Sequence, residues 1–579
     1  MKKMKNINNN IKAFLLFTVL LLGVSCETLE LDKSKDPFNL SPDQADVEFL
    51  FNSIEEDFAR QIEGDADYTT LDNWQQGGST NGDGLSLFGA ELTRMYGMNN
   101  TNSSGYQTVY QANDSDDEWT NAYSGILANI RIMTPLALAA GKTRHVGIAQ
   151  FIEAYTMTAM VDFYGDVPYT EAAQGAANLS PKVDSGASIY AAALVLLDNA
   201  IENFTNETLS NPSVEVFYNN NYNQWVKAAN TLKMKLYLQT RLVDNTAIAK
   251  FNEIVAEENY IQDSADDLAY RWAGASASNP DSRHPRYGLN YTPTGAGDYA
   301  SNWYMGTMNA SNDPRIRYYF YRQEPAVPGQ EIPANEVDLR CSLQSAPPHY
   351  VSGGYTFCSL PDGYWGRDHG DNDGVPPDGL KRTTFGVYPA GGKFDADNFE
   401  KVYLDNDPVR GAKGRGITPI LLASWVNFMK AEVAMAENNL GLAKAEMLEG
   451  ISKSINKVMS FGPRDPRYDA TFAPTSGQIA NFNDSVSSNW DNADLNGKWD
   501  ILAIQQFIAV FGNGIESYNF YRRTGFPTKL QPNRNPNPGN FVRSLYYPAN
   551  EVNNNSNITQ KANQSVPVFW NTNSSPIAN

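Results

Sequence analysis

Segments with apolar residues at the three- and four-residue spacing of an amphipathic helix follow one another in pairs along this chain. The first begins at a capping box, in which Ser41 precedes Gln44 by three residues. Because the links between paired segments are short, the pattern predicts a mostly α fold in which helix pairs stack on one another. No tetratricopeptide consensus recurs at a fixed period. The predicted helices cover residues 41–63, 119–140, 143–164, 188–204, 223–243, 246–258, 419–437, 440–461 and 502–511.

Two stretches, 68–118 and 273–418, interrupt the helical pattern and divide the rest into a scaffold of residues 41–63, 119–261 and 419–579. Both stretches are rich in Gly, Pro, Asn, Asp and aromatic residues. Long loops are usually functional or disordered, and the aromatic content argues against disorder. We therefore expect a ligand to bind in this loop-rich region.

Tyrosine and tryptophan side chains in these loops are the candidate ligand contacts. Their rings offer flat apolar faces to sugar CH groups or peptide side chains, and their polar edges remain able to form hydrogen bonds. The alternative is that each ring only packs its own loop. The candidates, with two neighbouring amides, are Asn73, Trp74, Gln75, Tyr96, Tyr287, Tyr291, Tyr299, Trp303 and Tyr304.

The first 25 residues, 1–25, have the pattern of an export signal. Lysines precede an apolar run at 13–24, which is too short to cross a bilayer as a stable helix. Ser25 and Cys26 follow directly, and this arrangement resembles a lipoprotein cleavage site. We expect Cys26 to be the acylated first residue of a mature domain of residues 26–579, the alternative being a secreted protein cleaved elsewhere.

Net charge and cysteine content limit which partners and which cysteine chemistry this protein can have. With 45 Lys and Arg against 65 Asp and Glu, the net charge of −20 argues against nucleic acid as a partner and against attraction to anionic lipid. Attachment to a membrane would therefore depend on the lipid anchor. Apart from Cys26, the cysteines are Cys341 and Cys358, which we expect to form a disulfide in an oxidising exterior.

The loop GRDHGDNDGVPPDG at 366–379 is the sharpest metal candidate. Its carboxylates supply the hard oxygen ligands that a structural calcium ion needs, in a glycine-rich turn. Leu380 stands where an EF-hand has its bidentate glutamate, so the loop is not an EF-hand. The alternative is an acidic turn without metal. The candidate ligands are Asp368, Asp371, Asp373 and Asp378.

Several motifs resemble the signature of the SusD/RagB nutrient-binding lipoproteins of Bacteroidetes. The most specific is GIESYNFYRRTGFP at 514–527, followed by RSLYYPANEVNNN at 543–555. YGDVPYTE at 164–171 and WVKAANTLK at 225–233 add to the resemblance. DNDGVPPDG at 371–379 is similar to a segment found in one branch of that family.

The resemblance implies both a fold and a function. It implies a scaffold of tetratricopeptide-like helix pairs, with the long loop-rich region inserted into it. It also implies a lipid-anchored protein on the outer face of the outer membrane. Such a protein binds an oligosaccharide or a peptide and delivers it to a SusC-like TonB-dependent transporter, and it requires no cofactor or catalytic residue.

Charged residues within these motifs are interpreted as structural. We expect Arg522 and Arg523 to join an ion network with Glu516 and Glu551 that fixes the C-terminal segment. Glu432 is expected to be the intramolecular partner of an arginine. The acids at the end of the helix at 143–164 and just after it are expected to be solvated rather than catalytic; they are Asp162, Asp166 and Glu171.

A glycoside hydrolase that uses a carboxylate pair is the alternative function. The 65 acidic residues provide many pairs, but no pair is distinguished by its sequence context. The sequence therefore favours a binding protein over an enzyme.

Overall fold

Long helices that pack against their neighbours in sequence form the scaffold. The computed structural model describes residues 45–64, 84–98, 105–274, 282–326, 339–374, 376–403 and 410–573. The α-helices are α1 Val47–Glu63, α2 Gly84–Leu92, α3 Tyr106–Val109, α4 Asp116–Thr120, α5 Ala128–Ala139, α6 Thr143–Tyr164, α7 Gly186–Thr205, α8 Tyr222–Thr240, α9 Ala247–Glu257, α10 Pro285–Asn290, α11 Asn302–Ala310, α12 Ile316–Tyr319, α13 Pro348–Gly353, α14 Ala423–Ala436, α15 Leu440–Met459, α16 Ser476–Asn492, α17 Leu495–Ala509, α18 Gly514–Thr524 and α19 Ala549–Asn554.

The helices pack in the pairwise manner that the sequence predicts. Helix α6 packs against α7, α7 against α8, and α14 against α15. Side-chain caps define where several of them begin: Ser185 accepts a hydrogen bond from the Ser188 N–H before α7, and Asn221 accepts one from the Gln224 N–H before α8. The mostly α scaffold is thus confirmed, and helix α6 has the predicted bounds.

The described residues also form three short antiparallel pairs of strands. The segment 417–421, which overlaps the helix predicted at 419–437, is a strand that pairs with the chain before the central loops. The prediction was wrong there because a short, fully buried apolar run does not distinguish a strand from a helix. The strands are β1 Val167–Pro168, β2 Val183–Asp184, β3 Leu268–Arg271, β4 Phe320–Tyr321, β5 Thr384–Phe385 and β6 Ile417–Leu421, paired as β1–β2, β3–β6 and β4–β5.

The predicted helix at 119–140 is three consecutive helical segments. Helix α4 runs into a π-helix at Asn121–Leu127, which runs into α5. Pro135 lies inside α5, where it has no N–H to donate to the preceding turn. Apolar spacing alone does not reveal such a change of helical pitch.

Helix α16 was missed, and α17 begins earlier than the predicted 502–511. In α16, Phe482, Val486 and Trp490 are buried at a spacing of four residues, whereas the rest of the helix is mostly Asn, Ser and Asp. These residues have low helix propensity, so the helical pattern is weak in the sequence.

A close contact between α2 and α18 fixes the C-terminal signature against the first of the two loop-rich stretches. A Cβ atom at Gly89 would lie 2.2 Å from the Gly514 carbonyl oxygen, and one at Gly514 would lie 2.1 Å from the Ala90 nitrogen. Both positions therefore require glycine. The described residues from Val47 onward form one compact unit, and none of their helices is long and apolar enough to span a membrane.

The charged residues of the signature motifs form a buried network with partners that differ in part from those expected. Glu432 is the partner of Arg523 and also of Arg241, as predicted for an arginine partner. Glu516 pairs with Lys235 rather than with the arginine pair. The Arg522 guanidinium instead donates to the backbone oxygen of Asp162, at 2.7 Å.

Asp162 was predicted to be solvated, and this is wrong. Its side chain is buried and accepts hydrogen bonds from Tyr190, from Asn519 at 2.7 Å and from the Trp570 indole at 2.9 Å. Burial raises the pKa of Asp162, and these donors and Arg522 oppose that effect. The carboxyl group is therefore part of the core.

Candidate functional site

The predicted aromatic candidates fall into three groups. Asn73, Trp74 and Gln75 lie outside the described residues, as does the predicted lipidation residue Cys26. Five tyrosines are buried in the structure, and their contact with a ligand stays a prediction; they are Tyr96, Tyr287, Tyr291, Tyr299 and Tyr304. Trp303 is partly exposed and is the one described candidate whose ring reaches the surface.

Tyr287 and Tyr291 show why these rings do not face solvent. The two stack on each other with ring centroids 4.4 Å apart. Their hydroxyls donate to the backbone oxygens of Arg410 and Phe385, at 3.1 and 2.8 Å. A buried ring with its polar edge satisfied packs its own loop, as the alternative interpretation stated. Trp303 is likewise held, since its indole N–H donates to the Lys529 carbonyl at 3.0 Å.

Tyr299 organises the acidic loop by lying between two arginines. The Arg367 and Arg382 guanidiniums lie 4.3 and 3.7 Å from its ring centroid, and its hydroxyl donates to Asp378 at 2.8 Å. Asp378 is in turn paired with Arg382 at 2.7 Å. Burial raises the pKa of the Tyr299 hydroxyl, so the ring is a neutral platform between two cations.

The four acidic candidates for calcium are held by different partners. Asp368 is buried and accepts hydrogen bonds from Asn302, at 3.0 Å, and from the Cys358 N–H, at 2.7 Å. Asp371 and Asp373 both pair with Arg534. Among the described residues no group of three or more metal-ligating side chains comes together, and arginines hold this acidic loop. Calcium binding there stays a prediction.

The two cysteines close a neighbouring loop. Cys341 and Cys358 are joined by a disulfide bond, as the sequence predicts. Both are buried in a cluster with Tyr299 and Trp365. The disulfide and the acidic loop therefore support each other rather than form a reactive site.

A polar cleft that sequence reasoning did not identify lies at the C-terminal end of α11. It has a volume of about 950 Å³ and is bounded by the end of α11, the turn at 312–315, residues 362–364 and 471–475, and the first turns of α16. We call it the α16 cleft. Its volume is at the upper end of the roughly 300–1,000 Å³ typical of ligand sites.

The floor of the α16 cleft is rigid. Asp313 and Arg315 form a buried ion pair with a closest distance of 2.6 Å. Arg315 also donates to Ser454 and Gln505, both at 3.1 Å, which ties the turn to α15 and α17. These contacts fix the turn at 312–315 against the helical scaffold.

One wall of the α16 cleft carries two arginines, each with a carboxylate partner. Arg317 forms a two-pronged contact with Asp397, with both distances 2.9 Å. Arg322 pairs with Asp395 at 2.7 Å and also contacts Asp397. Burial alone would raise the pKa of Asp397, but the hydrogen bonds and charges of the two arginines hold it below its usual value. The charges of these two arginines and of Asp395 and Asp397 therefore balance one another.

The facing wall consists of uncharged polar side chains and one ring. Gln478, Asn481 and Ser485 are exposed and lie three and four residues apart, on one face of α16. Thr475 and Gln478 form the capping box that begins the helix. The half-buried Phe472 lies beside them, with the Arg317 guanidinium 5.5 Å from its ring centroid. The three- and four-residue spacing of these polar side chains is the sequence feature that could have indicated this wall of the cleft.

Two family models match the chain on either side of the acidic loop. A family described as starch-binding proteins that associate with the outer membrane matches residues 64–332. The family of SusD and RagB outer membrane lipoproteins matches residues 408–569. The chain belongs to the SusD/RagB family.

Solved structures of SusD/RagB proteins share the fold. A family member from Bacteroides thetaiotaomicron is 18% identical, with a TM-score of 0.61 over 92% of this chain and 100% of its own. A SusD homologue from Bacteroides uniformis is 19% identical, with a TM-score of 0.62 over 91% and 100% of the two chains. A chitin-binding SusD homologue from Flavobacterium johnsoniae is 17% identical, with a TM-score of 0.60 over 91% and 99%. No curated protein matches this SusD/RagB chain.

Proposed function

We propose that this protein binds oligosaccharides on the outer face of the outer membrane, anchored by a lipid on Cys26, and delivers them to a SusC-like TonB-dependent transporter. The observation that carries the proposal is the pair of family matches, which together take in 64–332 and 408–569. One family is described as starch-binding, and a relative with the same fold is described as chitin-binding. A peptide is the second ligand class that the sequence left open.

Binding without cleavage fits the charges of the α16 cleft better than hydrolysis does. A glycoside hydrolase needs one carboxylic acid that keeps its proton beside a second, ionised carboxylate. Asp313 and Asp397 are instead ion-paired with Arg315 and with Arg317. These acids are suited to holding arginines in place, so the protein is proposed to act without catalysis.

The ligand part of the proposal is tested with the purified mature chain and a panel of glycans and peptides. We expect a calorimetric signal or retarded migration in a glycan-containing gel, with no release of new reducing ends. Catalytic release of products would favour the hydrolase. Binding to peptides alone would show that the ligands are peptides rather than oligosaccharides.

Anchoring and partnership need separate experiments. Mass spectrometry of the native protein should find fatty acyl groups on Cys26, and a Cys26→Ala variant should leave the membrane fraction. Purification of the anchored protein from outer membranes should retain a TonB-dependent transporter. A native chain without acyl groups, or one purified without a transporter, would contradict the corresponding part.

A further inference from the structure

We infer that the α16 cleft is the sugar-binding site and that it takes an uncharged oligosaccharide rather than an acidic one. This inference rests on the proposed function and gives that function a place on the molecule. It differs from the prediction made from the loops, in which aromatic residues such as Trp303 contact the ligand.

The first argument is the chemistry of the helical wall. A sugar hydroxyl both donates and accepts hydrogen bonds, and amide and hydroxyl side chains do the same. Gln478, Asn481 and Ser485 present such groups in a row along α16 and are exposed to solvent. Asn309 and Ser311 at the end of α11 line the same cleft. These side chains can therefore form several hydrogen bonds with a ligand that carries many hydroxyls.

The second argument is the charge of the opposite wall. An acidic sugar would be recognised by arginines that are free to form two-pronged contacts. Arg317 and Arg322 already make such contacts with Asp397 and Asp395. A carboxylate in the cleft would have to displace these partners and would also be repelled by them. An uncharged sugar chain meets neither obstacle.

The third argument is the ring beside the helix. Phe472 precedes the capping box of α16 and is half-buried, so part of its ring is open to the cleft. An aromatic face next to a row of hydrogen-bonding groups suits the apolar face and polar edge of a sugar ring. The buried Asp313–Arg315 pair holds the floor beneath it, so the site is formed before a ligand arrives.

A peptide fits the cleft less well. Peptides bind by adding a strand to a free sheet edge, or by placing apolar side chains into pockets. Among the described residues, the α16 cleft is lined by the loops and helix turns named above. The aromatic side chains in this lining are Tyr364, Phe472 and Phe482. Tyr364 and Phe482 are buried. The walls therefore favour hydroxyl-rich ligands.

The test measures affinity for short neutral and uronic acid oligosaccharides with the mature chain and matched variants. We expect binding to at least one neutral oligosaccharide, with little binding to the uronic acid oligomers. Phe472→Ala and Asn481→Ala should each weaken that binding by about tenfold. Asn489→Ala is the control, since Asn489 is an exposed asparagine on the same helix outside the cleft lining, and it should bind as the wild type does.

Failure of the inference and failure of the proposed function give different results. If glycans bind and Trp303→Ala abolishes binding while both cleft variants bind normally, the α16 cleft is not the site, although the proposed function stands. Tight binding of the uronic acid oligomers alone would overturn the charge argument. If the wild type binds none of the glycans, both the function and the site are wrong for these ligands.

Discussion

Arg523 and Glu432 form a two-pronged buried ion pair, with Nε–Oε1 and Nη2–Oε2 distances both 2.7 Å. Arg241 contacts the same carboxylate at 2.9 Å, so one acid joins α18 and the end of α8 to α14. Although burial alone would raise the pKa of Glu432, the two arginines hold it below its usual value.

Replacing Glu432 should therefore be costly. In Glu432→Gln the two guanidiniums lose their counter-charge in a buried site, and we expect the free energy of unfolding to fall by about 3–5 kcal/mol. Urea denaturation measures the change. Asp491→Asn removes the exposed partner of Lys444 and serves as the control, with an expected change below about 1 kcal/mol. Equal effects of the two substitutions would contradict the network.

Ionisation of the buried Glu63 carboxyl group should lower the free energy of unfolding as the pH rises. Burial raises the pKa of this carboxyl group from 4.5 to about 8, although Arg286 lies 3.6 Å away. Its contribution is fully present below pH 4.5, where it is protonated in both the folded and unfolded states, and is lost as the pH rises through about 8.

Glu63→Gln keeps the neutral form at every pH. Compared with the wild type, it should gain stability progressively from pH 5 to pH 8, as judged by the melting temperature across that range. His284 lies 3.8 Å from Glu63 and affects stability only at lower pH. Burial lowers its pKa from 6.5 to about 3, so its contribution to stability is lost as the pH falls from 6.5 through about 3. A pH-independent difference between Glu63→Gln and the wild type would refute the assignment.

The disulfide should stabilise the loop beside Tyr299. Cys341 and Cys358 are 17 residues apart, and closing a loop of that length is worth roughly 3 kcal/mol in the unfolded-chain entropy account. The double variant Cys341→Ser/Cys358→Ser should therefore unfold at lower urea concentration. Adding reductant should bring the wild type to the same midpoint and leave the variant unchanged. A variant as stable as the oxidised wild type would be evidence against the bond.

Gly89 should tolerate no side chain. Because a Cβ there would lie 2.2 Å from the Gly514 carbonyl oxygen, Gly89→Ala would push α2 away from α18, and we expect a loss of about 1–3 kcal/mol or no folded protein. Gly441→Ala in the first turn of α15 is the matched control. No described atom lies within 4 Å of a Cβ placed there, so it should stabilise the helix by up to about 1 kcal/mol. Circular dichroism during thermal unfolding distinguishes the two.

The sequence predicts well what is decided by near neighbours. Helix α6 has the predicted bounds because its apolar residues continue until Gly165 ends it. Such local features need only the residue and the helix that carries it.

Features made by distant segments were missed. Tyr291 and Trp303 occupy similar aromatic loops, but Tyr291 finds the Phe385 carbonyl 94 residues away and becomes buried. The α16 cleft combines residues from 309–322, 362–364, 397 and 471–485, so no single stretch reveals it. Apolar spacing reports which face of an element is buried, and it does not report which element covers that face.

The contacts of Asp162 have a consequence for how the polypeptide is completed. This acid near the end of α6 accepts hydrogen bonds from Asn519 and from Trp570, which follow it by 357 and 408 residues. A chain that stops before Trp570 has helix α6 but lacks that donor, so the buried carboxyl group keeps only its other hydrogen bonds and the folded state should be less stable. The segment around Trp570 therefore completes the hydrogen bonding of a carboxyl group that lies much earlier in the chain.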